Sequence, residues 1–433
     1  MTGAPDPTSA EGPPGAEPGH GSSFVLFGWR APAVLAVAAV AVAAGFGQFG
    51  AVAALGDVAK TFGHETSGGS LAARVGLSGS TIGIGLAVIR LASIGGLPLA
   101  GMADRLGRRR TVLACCAGGL LMTAAAALSP GYWWFVAIFA LGRPMLSATN
   151  ALAQVSAGEL TGSPDRAKAV ALVAAGYAVG AGATAVIYSL GRDAIGFRGV
   201  FAMAIVPLVL LPWVGRRVSE PERFSREDRA ARGEPVLGPV GRRFRRRLLL
   251  VCAIAFAVSV ITGPANSFVF VYAQNVRHVS GVLTAAMVVT AGPTGLFGLL
   301  CGRWLADRVG RRPTITLAMV TIAGFGILLY SGSVLALFIG YAMGALGGGI
   351  IAPPLGSMIN EVFPTSVRAS VSGWFTAAGV VGAVVGLVAF GSLADVHLSF
   401  APVATFLPIL PFAALLFALP ESKGKEPEQL SAA

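Results

Sequence analysis

The sequence predicts an all-α membrane protein with twelve transmembrane helices in two pseudo-symmetric bundles of six. Three observations predict this fold class. The 433 residues are 55% apolar and only 12% charged, with a mean hydropathy of +0.74. Apolar runs of membrane-spanning length follow one another along the chain, and a charged motif occurs twice, about two hundred residues apart. A soluble fold of this composition would have too little polar surface to cover itself, so lipid must cover it.

Twelve apolar runs are long enough to cross a hydrocarbon core of about 30 Å. The first six lie near residues 31–55, 79–100, 111–129, 132–157, 167–190 and 197–214. The second six lie near residues 248–273, 280–302, 313–331, 334–360, 368–392 and 398–419. An even number of spans places both termini on the same side of the membrane.

Positive charge orients the chain. About 25 of the 32 Lys and Arg residues lie in the termini and in the alternate loops that a cytoplasmic N-terminus would leave inside. Cytoplasmic loops carry an excess of such residues, so we expect both termini in the cytoplasm and the protein in the plasma (inner) membrane. The net charge of +12 then faces anionic lipid. It does not require a nucleic acid partner.

The spans and their charged flanks divide the chain into five parts. The segment 215–247 carries eleven arginines against five acids, as expected of a basic cytoplasmic linker. The first residues are rich in Pro and Gly and lack the basic start and short apolar core of a signal peptide. The expected parts are a disordered cytoplasmic tail (1–28), a six-helix bundle (29–214), the linker (215–247), a second bundle (248–420) and a cytoplasmic tail (421–433).

The two halves share two charged blocks. The run AGMADRLGRRR at 100–110 recurs as RWLADRVGRRP at 303–313. Each run places an acid and several arginines in a short polar gap between two apolar spans, which predicts a tight charged hairpin. Blocks 159–166 and 361–368 each begin with Glu, end with Arg and follow these hairpins at nearly the same offset. The chain therefore contains an internal duplication.

The hairpin sequence Asp-Arg-x-Gly-Arg-Arg, present twice, resembles the loop signature of the major facilitator superfamily. Two further blocks, Phe363-Pro-Thr365-x-x-Arg368 and Pro420-Glu421-Ser422-Lys423-Gly424, are similar to the sugar-porter and metabolite:proton symporter branch. The resemblance covers residues 31–425. It implies two six-helix repeats, a substrate site near the membrane midplane between them, and transport by alternating access.

The resemblance also implies a gate made of charged residues. Asp104 would close against the start of helix 11 near Arg368, and Asp307 against the start of helix 5 near Arg166. Helix N-termini carry unsatisfied N–H groups that bind carboxylates, which makes such a contact a breakable latch. Within each half, Glu159 would pair with Arg108, and Glu361 with Arg311. The alternative is that these charges serve topology and assembly alone.

Two arginines, Arg90 and Arg143, lie about eleven residues inside helices 2 and 4, near the midplane. An arginine at this depth costs about 2.5–3.5 kcal/mol on insertion scales and needs a wet cavity and an anionic partner. All twenty acids lie in loops, tails or helix ends. The equivalent positions in the second half are Pro293 and Ala345, so the repeat has not kept these charges. We expect both arginines to bind an anionic group of the substrate.

Two alternatives remain open for these arginines. Arg143 could match a helix 4 arginine that assists proton movement in proton-coupled exporters, and Arg90 could bond only to backbone carbonyls. Other polar side chains are expected near the same cavity or in interhelical hydrogen bonds. They are Gln48, Asn150, Gln154, Tyr177, Asn266, Tyr272, Thr290 and Thr294.

The sequence contains no phosphate-binding Gly-x-x-x-x-Gly-Lys-Ser loop, and its four histidines lie in tails or loops away from any nucleophile or metal set. We therefore expect no enzyme activity, no cofactor and no metal. Transport would draw on an existing gradient. Asp57 and Glu159 are the candidates for proton coupling, since no midplane carboxylate is available.

The expected function is secondary active transport of a small organic solute, an anionic metabolite, by a monomer in the lipid bilayer. Symport with protons, uniport and anion exchange all stay open. The main alternative is proton-driven efflux of drugs or secondary metabolites, for which Gly176-x-x-x-Gly180 in helix 5 is a fragment of the usual motif. A non-transporting membrane sensor is a third class, but such proteins usually carry a large added cytoplasmic domain.

Overall fold

The computed structural model describes residues 27–64, 71–220, 237–364, 367–419 and 421. Almost all of this range is helical, which confirms the predicted all-α fold of two six-helix bundles. The predicted N-terminal tail, the middle of the linker and the C-terminal tail lie almost wholly outside the described residues.

We number the twelve membrane helices α1–α12. In the first half, α1 is Pro32–Ala53; α2 is Gly79–Ala92, continued by Ser93–Gly95 and Gly96–Leu106; α3 is Arg108–Ala125; and α4 is Tyr132–Leu160. Helices α5 and α6 share the continuous helical run Ser163–Ala202, which Gly196 divides, and α6 is extended by Ile205–Gly215. Two short helices, Leu55–Phe62 and Leu71–Val75, lie between α1 and α2.

In the second half, α7 is Arg245–Ser267, continued by Val269–Val271 and a π-helical turn at Tyr272–Val276. Helix α8 is Gly281–Arg308, α9 is Arg311–Leu329, α10 is Val334–Val362 and α11 is Arg368–Val396. Helix α12 begins at Ala401–Phe406 and continues as the tighter helix Leu407–Ala418. The break in α7 comes four residues after Pro264, which removes a helical N–H donor.

Single glycines make the tightest turns. Gly107 (φ 98°) joins α2 to α3, and Gly310 (φ 116°) joins α8 to α9. A positive φ costs glycine little because it has no Cβ. The arginines after each glycine therefore form the first turn of α3 and α9, so these helices begin earlier than the predicted residues 111 and 313. Gly196 (φ 54°) likewise replaces the predicted six-residue gap between α5 and α6.

The two halves meet mainly through α2 on α11 and α5 on α8. We call the end of the molecule that carries the two charged hairpins the hairpin face, and the opposite end the far face. Toward the far face one apolar cluster contains residues of both halves, including Phe197 and Phe390. The first half has a separate cluster toward the hairpin face, including Val112 and Leu160. The halves therefore pack together at the far face and separate toward the hairpin face.

Candidate functional site

A cavity of about 220 Å³ lies between the two halves, midway along the helices. Helices α1, α2, α4 and α5 of the first half and α7 and α11 of the second half line it. Its polar lining residues are Gln48, Arg90, Arg143, Tyr177, Thr262, Asn266 and Ser267. Three of the side chains that the sequence predicted near a cavity, Gln48, Tyr177 and Asn266, thus lie at one place together with both midplane arginines.

Arg90 and Arg143 lie on the same wall of the cavity, close enough for their charges to interact. Arg143 Nη1 donates to the backbone oxygen of Gln48 at 3.4 Å, and the Tyr177 hydroxyl donates to Gln48 Oε1 at 2.8 Å. Among the described residues, the buried Nε of each arginine has no hydrogen-bond partner. None of the described lining residues is an acid. The wall therefore carries concentrated positive charge without a protein counterion.

Local backbone features bring the two arginines together. Helix α2 changes to a tighter helical turn at Ser93–Gly95 just after Arg90, and Ser93 Oγ donates to Arg90 O at 2.5 Å. Pro144 follows Arg143 within α4. A Cβ added at Gly96 would lie 2.9 Å from Pro144 O, so the two backbones approach as closely as they do only because Gly96 has no side chain.

Several expected cavity residues lie elsewhere. Asn150 and Gln154 hydrogen-bond to each other on α4, with Gln154 Nε2 at 3.4 Å from Asn150 Oδ1. The Tyr272 hydroxyl donates to Tyr330 O at 3.2 Å inside the packed core between α7 and α9. Thr290 and Thr294 hydroxyls donate to carbonyls of their own helix. None of these five side chains is among the lining residues of the cavity, and each is hydrogen-bonded to a backbone carbonyl or, for Asn150 and Gln154, to the other.

The sequence analysis also missed part of the lining. Thr262 and Ser267 on α7 also line the cavity, Thr262 one turn before Asn266 and Ser267 directly after it. The apolar side chains of Phe49 and Phe139 complete the wall beside the arginines. Thr, Ser and Phe are common in apolar spans, so the sequence alone does not mark these four as lining residues. They are recognised only once the two halves are packed together around the cavity.

The hairpin face carries two equivalent ion pairs. Arg108 Nε lies 2.6 Å from Glu159 Oε2, joining the start of α3 to the end of α4. Arg311 Nη2 lies 3.0 Å from Glu361 Oε1, joining α9 to α10 in the same way. The two pairs that the resemblance implied within each half are thus present at matching positions.

Two further carboxylates cap the helices that follow the hairpins. Glu220 accepts the backbone N–H groups of Arg108 and Arg109 at 2.6 and 3.0 Å. Glu421 accepts those of Arg311 and Arg312 at 2.9 and 3.2 Å. Arginines in the first turn of a helix are unfavourable beside the positive end of the helix dipole, and these carboxylates offset that cost.

The expected latch between the halves is not formed by Asp307 in this conformation. Its side chain is 64% exposed and lies 3.5 Å from Arg311 of its own hairpin, not against the start of α5. The physical reason is the separation of the halves at the hairpin face. Arg166 and Arg368 instead donate to backbone oxygens of Gly158 and Phe363 on their own half, at 3.1 and 2.9 Å. The side chain of Asp104 lies outside the described part of the structure.

At the far face, Asp395 joins the halves. Its carboxylate, near the end of α11, accepts the backbone N–H groups of Gly79 and Ser80 at the start of α2, at 2.5 and 2.9 Å. Arg74 Nη1 also donates to Val276 O across the halves, at 3.4 Å. The sequence analysis did not select Asp395, since an acid at a helix end is common.

A second pair of contacts lies nearby at the far face. Gln274 Nε2 of α7 donates to Ser189 Oγ of α5 at 3.3 Å and adds another link between the halves. Asp57, on the short helix after α1, lies close to the Tyr188 hydroxyl of α5. The far face is therefore closed by polar contacts, and Asp57 belongs to it and not to the cavity.

The sequence profile of the Major Facilitator Superfamily matches residues 35–304 and 287–433. The chain belongs to the Major Facilitator Superfamily. As a member of this family it is an integral membrane protein and a secondary transporter of a small organic solute, and not an enzyme.

Relatives of this superfamily member include two bacterial transporters. A Haemophilus influenzae protein whose name assigns it to metabolite transport is 26% identical over 77% of this chain and 85% of the relative. A Cupriavidus pinatubonensis protein whose name assigns it to 4-methylmuconolactone transport is 25% identical over 81% of this chain and 84% of the relative. The fold is similar to that of the Escherichia coli xylose transporter XylE in its inward-open conformation, with a TM-score of 0.71 at 16% identity over 92% of this chain and 98% of XylE.

Proposed function

We propose that this transporter carries a small organic anion, which binds between Arg90 and Arg143 in the central cavity. The observation that carries the proposal is a pair of half-buried arginines on one cavity wall, each with a buried Nε that has no hydrogen-bond partner, and no acid among the described lining residues. Two unbalanced charges in a low-dielectric site are costly, and an anionic ligand offsets that cost. The two relatives are named for metabolite transport and for 4-methylmuconolactone transport, which is consistent with a small organic substrate.

We further propose that the hairpin face is cytoplasmic, since it carries most of the arginines of the loops. Both termini then lie in the cytoplasm of a monomer in the plasma membrane, and the closed far face makes this conformation inward-facing. In the outward-facing state Asp104 and Asp307 would approach the starts of α11 and α5. Residues Arg108, Glu159, Arg166, Arg311, Glu361 and Arg368 would hold the hairpin ends in position for that closure.

Proton coupling is part of the proposal, at the two faces and not in the cavity. Asp57 lies close to the Tyr188 hydroxyl at the far face. Glu159 lies against Arg108 at the hairpin face. Protonation of Glu159 would break its ion pair with Arg108, and protonation of Asp57 would remove a negative charge from the far face; each carboxylate lies on the side where one conformation opens. Drug efflux is the weaker alternative, because two cavity arginines repel the cationic compounds that such exporters commonly carry.

The test is transport by the full chain in proteoliposomes, with benzoate, succinate and 4-hydroxybenzoate as labelled probes. We expect uptake of at least one anion, reduced by a factor of about 10–100 in Arg90→Gln and Arg143→Gln, as for loss of a charged hydrogen bond. Arg277→Gln is the matched control, since Arg277 is an exposed arginine at the far face. Unchanged uptake in both cavity variants would refute the anion site, and an inside-acid or inside-alkaline pH gradient with no effect on the rate would refute proton coupling.

A further inference from the structure

We infer that the substrate is a compact ring compound with a single carboxylate at one end and a hydroxyl group at the other. This inference rests on the proposed function, because it takes Arg90 and Arg143 as the anion site. It adds three points to that proposal: the number of anionic groups on the substrate, the chemical nature of the part of the substrate between its two ends, and the contribution of α7 to binding.

The arrangement of charge favours one anionic group. Both arginines lie on the wall formed by the first half, within electrostatic reach of each other. A carboxylate has two oxygens and can accept from two guanidinium groups at once. The wall formed by the second half consists of Thr262, Gly263, Asn266, Ser267 and Leu387, so it offers no cation among its described residues for a second anionic group.

The size and lining of the middle of the cavity favour a hydrocarbon ring. A protein cavity of about 150 Å³ lined by apolar side chains holds benzene, so about 220 Å³ accommodates a six-membered ring with two small substituents. The first-half wall that carries the arginines also includes the apolar side chains of Phe49, Leu86, Ile89 and Phe139, against which a ring attached to the carboxylate would pack. A sugar ring packed against these apolar side chains would leave the hydroxyl groups on that side without hydrogen bonds, which is costly.

The α7 wall favours a donor on the substrate. Thr262 Oγ1 donates its only hydrogen to Val258 O at 3.0 Å, so towards the cavity it offers lone pairs. Asn266 Nδ2 donates to Thr262 O at 2.9 Å, which commits one amide hydrogen and leaves the amide oxygen as an acceptor. A substrate hydroxyl opposite the carboxylate would donate to these acceptors. A second carboxylate at this wall would meet no cation, because the donors that remain there, one Asn266 N–H and the Ser267 hydroxyl, are neutral.

The first experiment compares ligands by calorimetric titration of the full chain in nanodiscs. The probes are 4-hydroxybenzoate, 2-hydroxybenzoate, benzoate, terephthalate, succinate, phenyl phosphate and xylose. We expect 4-hydroxybenzoate to bind about tenfold more tightly than benzoate, the gain of one good hydrogen bond. The isomer 2-hydroxybenzoate, whose hydroxyl lies beside the carboxylate, should gain nothing. Terephthalate, succinate and xylose should bind at least about tenfold more weakly than benzoate.

Several results would overturn the inference. Succinate or terephthalate binding as tightly as benzoate would show a site for two anionic groups, and tighter binding of phenyl phosphate would assign the arginines to a phosphate group. Tight binding of xylose would show a sugar site. In each of the first two cases the proposed anion site survives and only the substrate class fails. If none of the anions binds, or if Arg90→Gln leaves benzoate binding unchanged, the proposed function fails and the inference with it.

The second experiment tests the α7 wall directly. Thr262→Val keeps the shape of the side chain and removes the hydroxyl, and Asn266→Leu removes the amide. We expect each variant to lower the affinity for 4-hydroxybenzoate about three- to tenfold while benzoate affinity stays within about twofold. Ser259→Ala, also on α7 but outside the cavity lining, is the matched control. Equal losses for both ligands, or no loss for 4-hydroxybenzoate, would contradict a donor–acceptor contact at this wall.

Discussion

The internal duplication is preserved at the hairpin face, whereas the two halves differ in the central cavity. At the hairpin face three features of one half have equivalents in the other: the turn glycine, the ion pair and the capping carboxylate. The equivalent sets are Gly107, Arg108–Glu159 and Glu220 in the first half, and Gly310, Arg311–Glu361 and Glu421 in the second. In the cavity, the counterparts of Arg90 and Arg143 are Pro293 and Ala345, and neither lines it.

The difference separates two tasks. Closing and opening a rim formed by two similar halves requires the same contacts on both sides, so both copies are kept. Under the proposed function, binding one asymmetric ligand requires charge on one side and other groups opposite, which would account for the difference between the copies there. The far face lies between these cases. Asp395 caps the start of α2, whereas its counterpart Asp193 on α5 is 98% exposed and caps nothing among the described residues.

The largest effect is expected from removing both cavity charges. The double variant Arg90→Gln/Arg143→Gln should lower anion affinity at least about 100-fold, since two charged hydrogen-bonding groups are lost. The measurement is titration with benzoate, and circular dichroism checks that the helices remain. If the affinity of the double variant is no lower than that of the weaker-binding single variant, then one arginine binds the anion and the other serves the fold.

The next effect tests the symmetry of the hairpin face. Arg108→Gln and Arg311→Gln should each slow uptake about tenfold, because each removes the charge beside a largely buried glutamate, a loss of about 1–3 kcal/mol. The two variants serve as each other's controls. A large loss in one and none in the other would show that the two rims are not equivalent.

A smaller effect is expected at the far face. Asp395→Asn replaces a charged acceptor by a neutral one, so the closed far face should lose about 1 kcal/mol, a shift of about fivefold towards the outward-facing state. Alkylation from outside of a cysteine placed at Asn266 measures this, in a background with the four native cysteines replaced. Asp193→Asn is the control. Equal alkylation of the two variants would contradict a closing role for Asp395.

The smallest effect concerns the capping carboxylates. Glu220→Gln and Glu421→Gln should each lower the free energy of unfolding by about 0.5–1 kcal/mol, the usual contribution of an acid at a helix N-terminus. Thermal unfolding in detergent reports the change, again with Asp193→Asn for comparison. No change in either variant would mean that the caps contribute only to conformational preference, which uptake rates would then reveal.

The sequence was most informative where a residue conflicts with its surroundings. Arg90 and Arg143 are charges inside apolar runs, and that conflict alone predicted a polar cavity at their depth. The hairpins were predictable because the duplication repeated them. Both the fold class and the family follow from these features.

Other features depend on tertiary contacts that a sequence does not encode locally. Asp395 is an ordinary helix-end acid until α11 meets α2. Tyr272 was expected in the cavity, but it lies in the π-helical turn beyond the break in α7, and its hydroxyl donates to Tyr330 O in the core. The α5–α6 connection was placed several residues too long, because the apolar pattern does not reveal that a single glycine can reverse the chain.

Helix α2 connects the candidate binding cavity with the closed far face. The unbroken segment Gly79–Ala92 is about 20 Å long by the rise of an α-helix. Its first turn is held by Asp395, and its last turn bears Arg90. An anion that draws Arg90 into the cavity would tilt the whole segment and so strain the two hydrogen bonds at its far tip. Anion binding and opening of the far face would then be coupled directly through α2, with no intermediary side chains required.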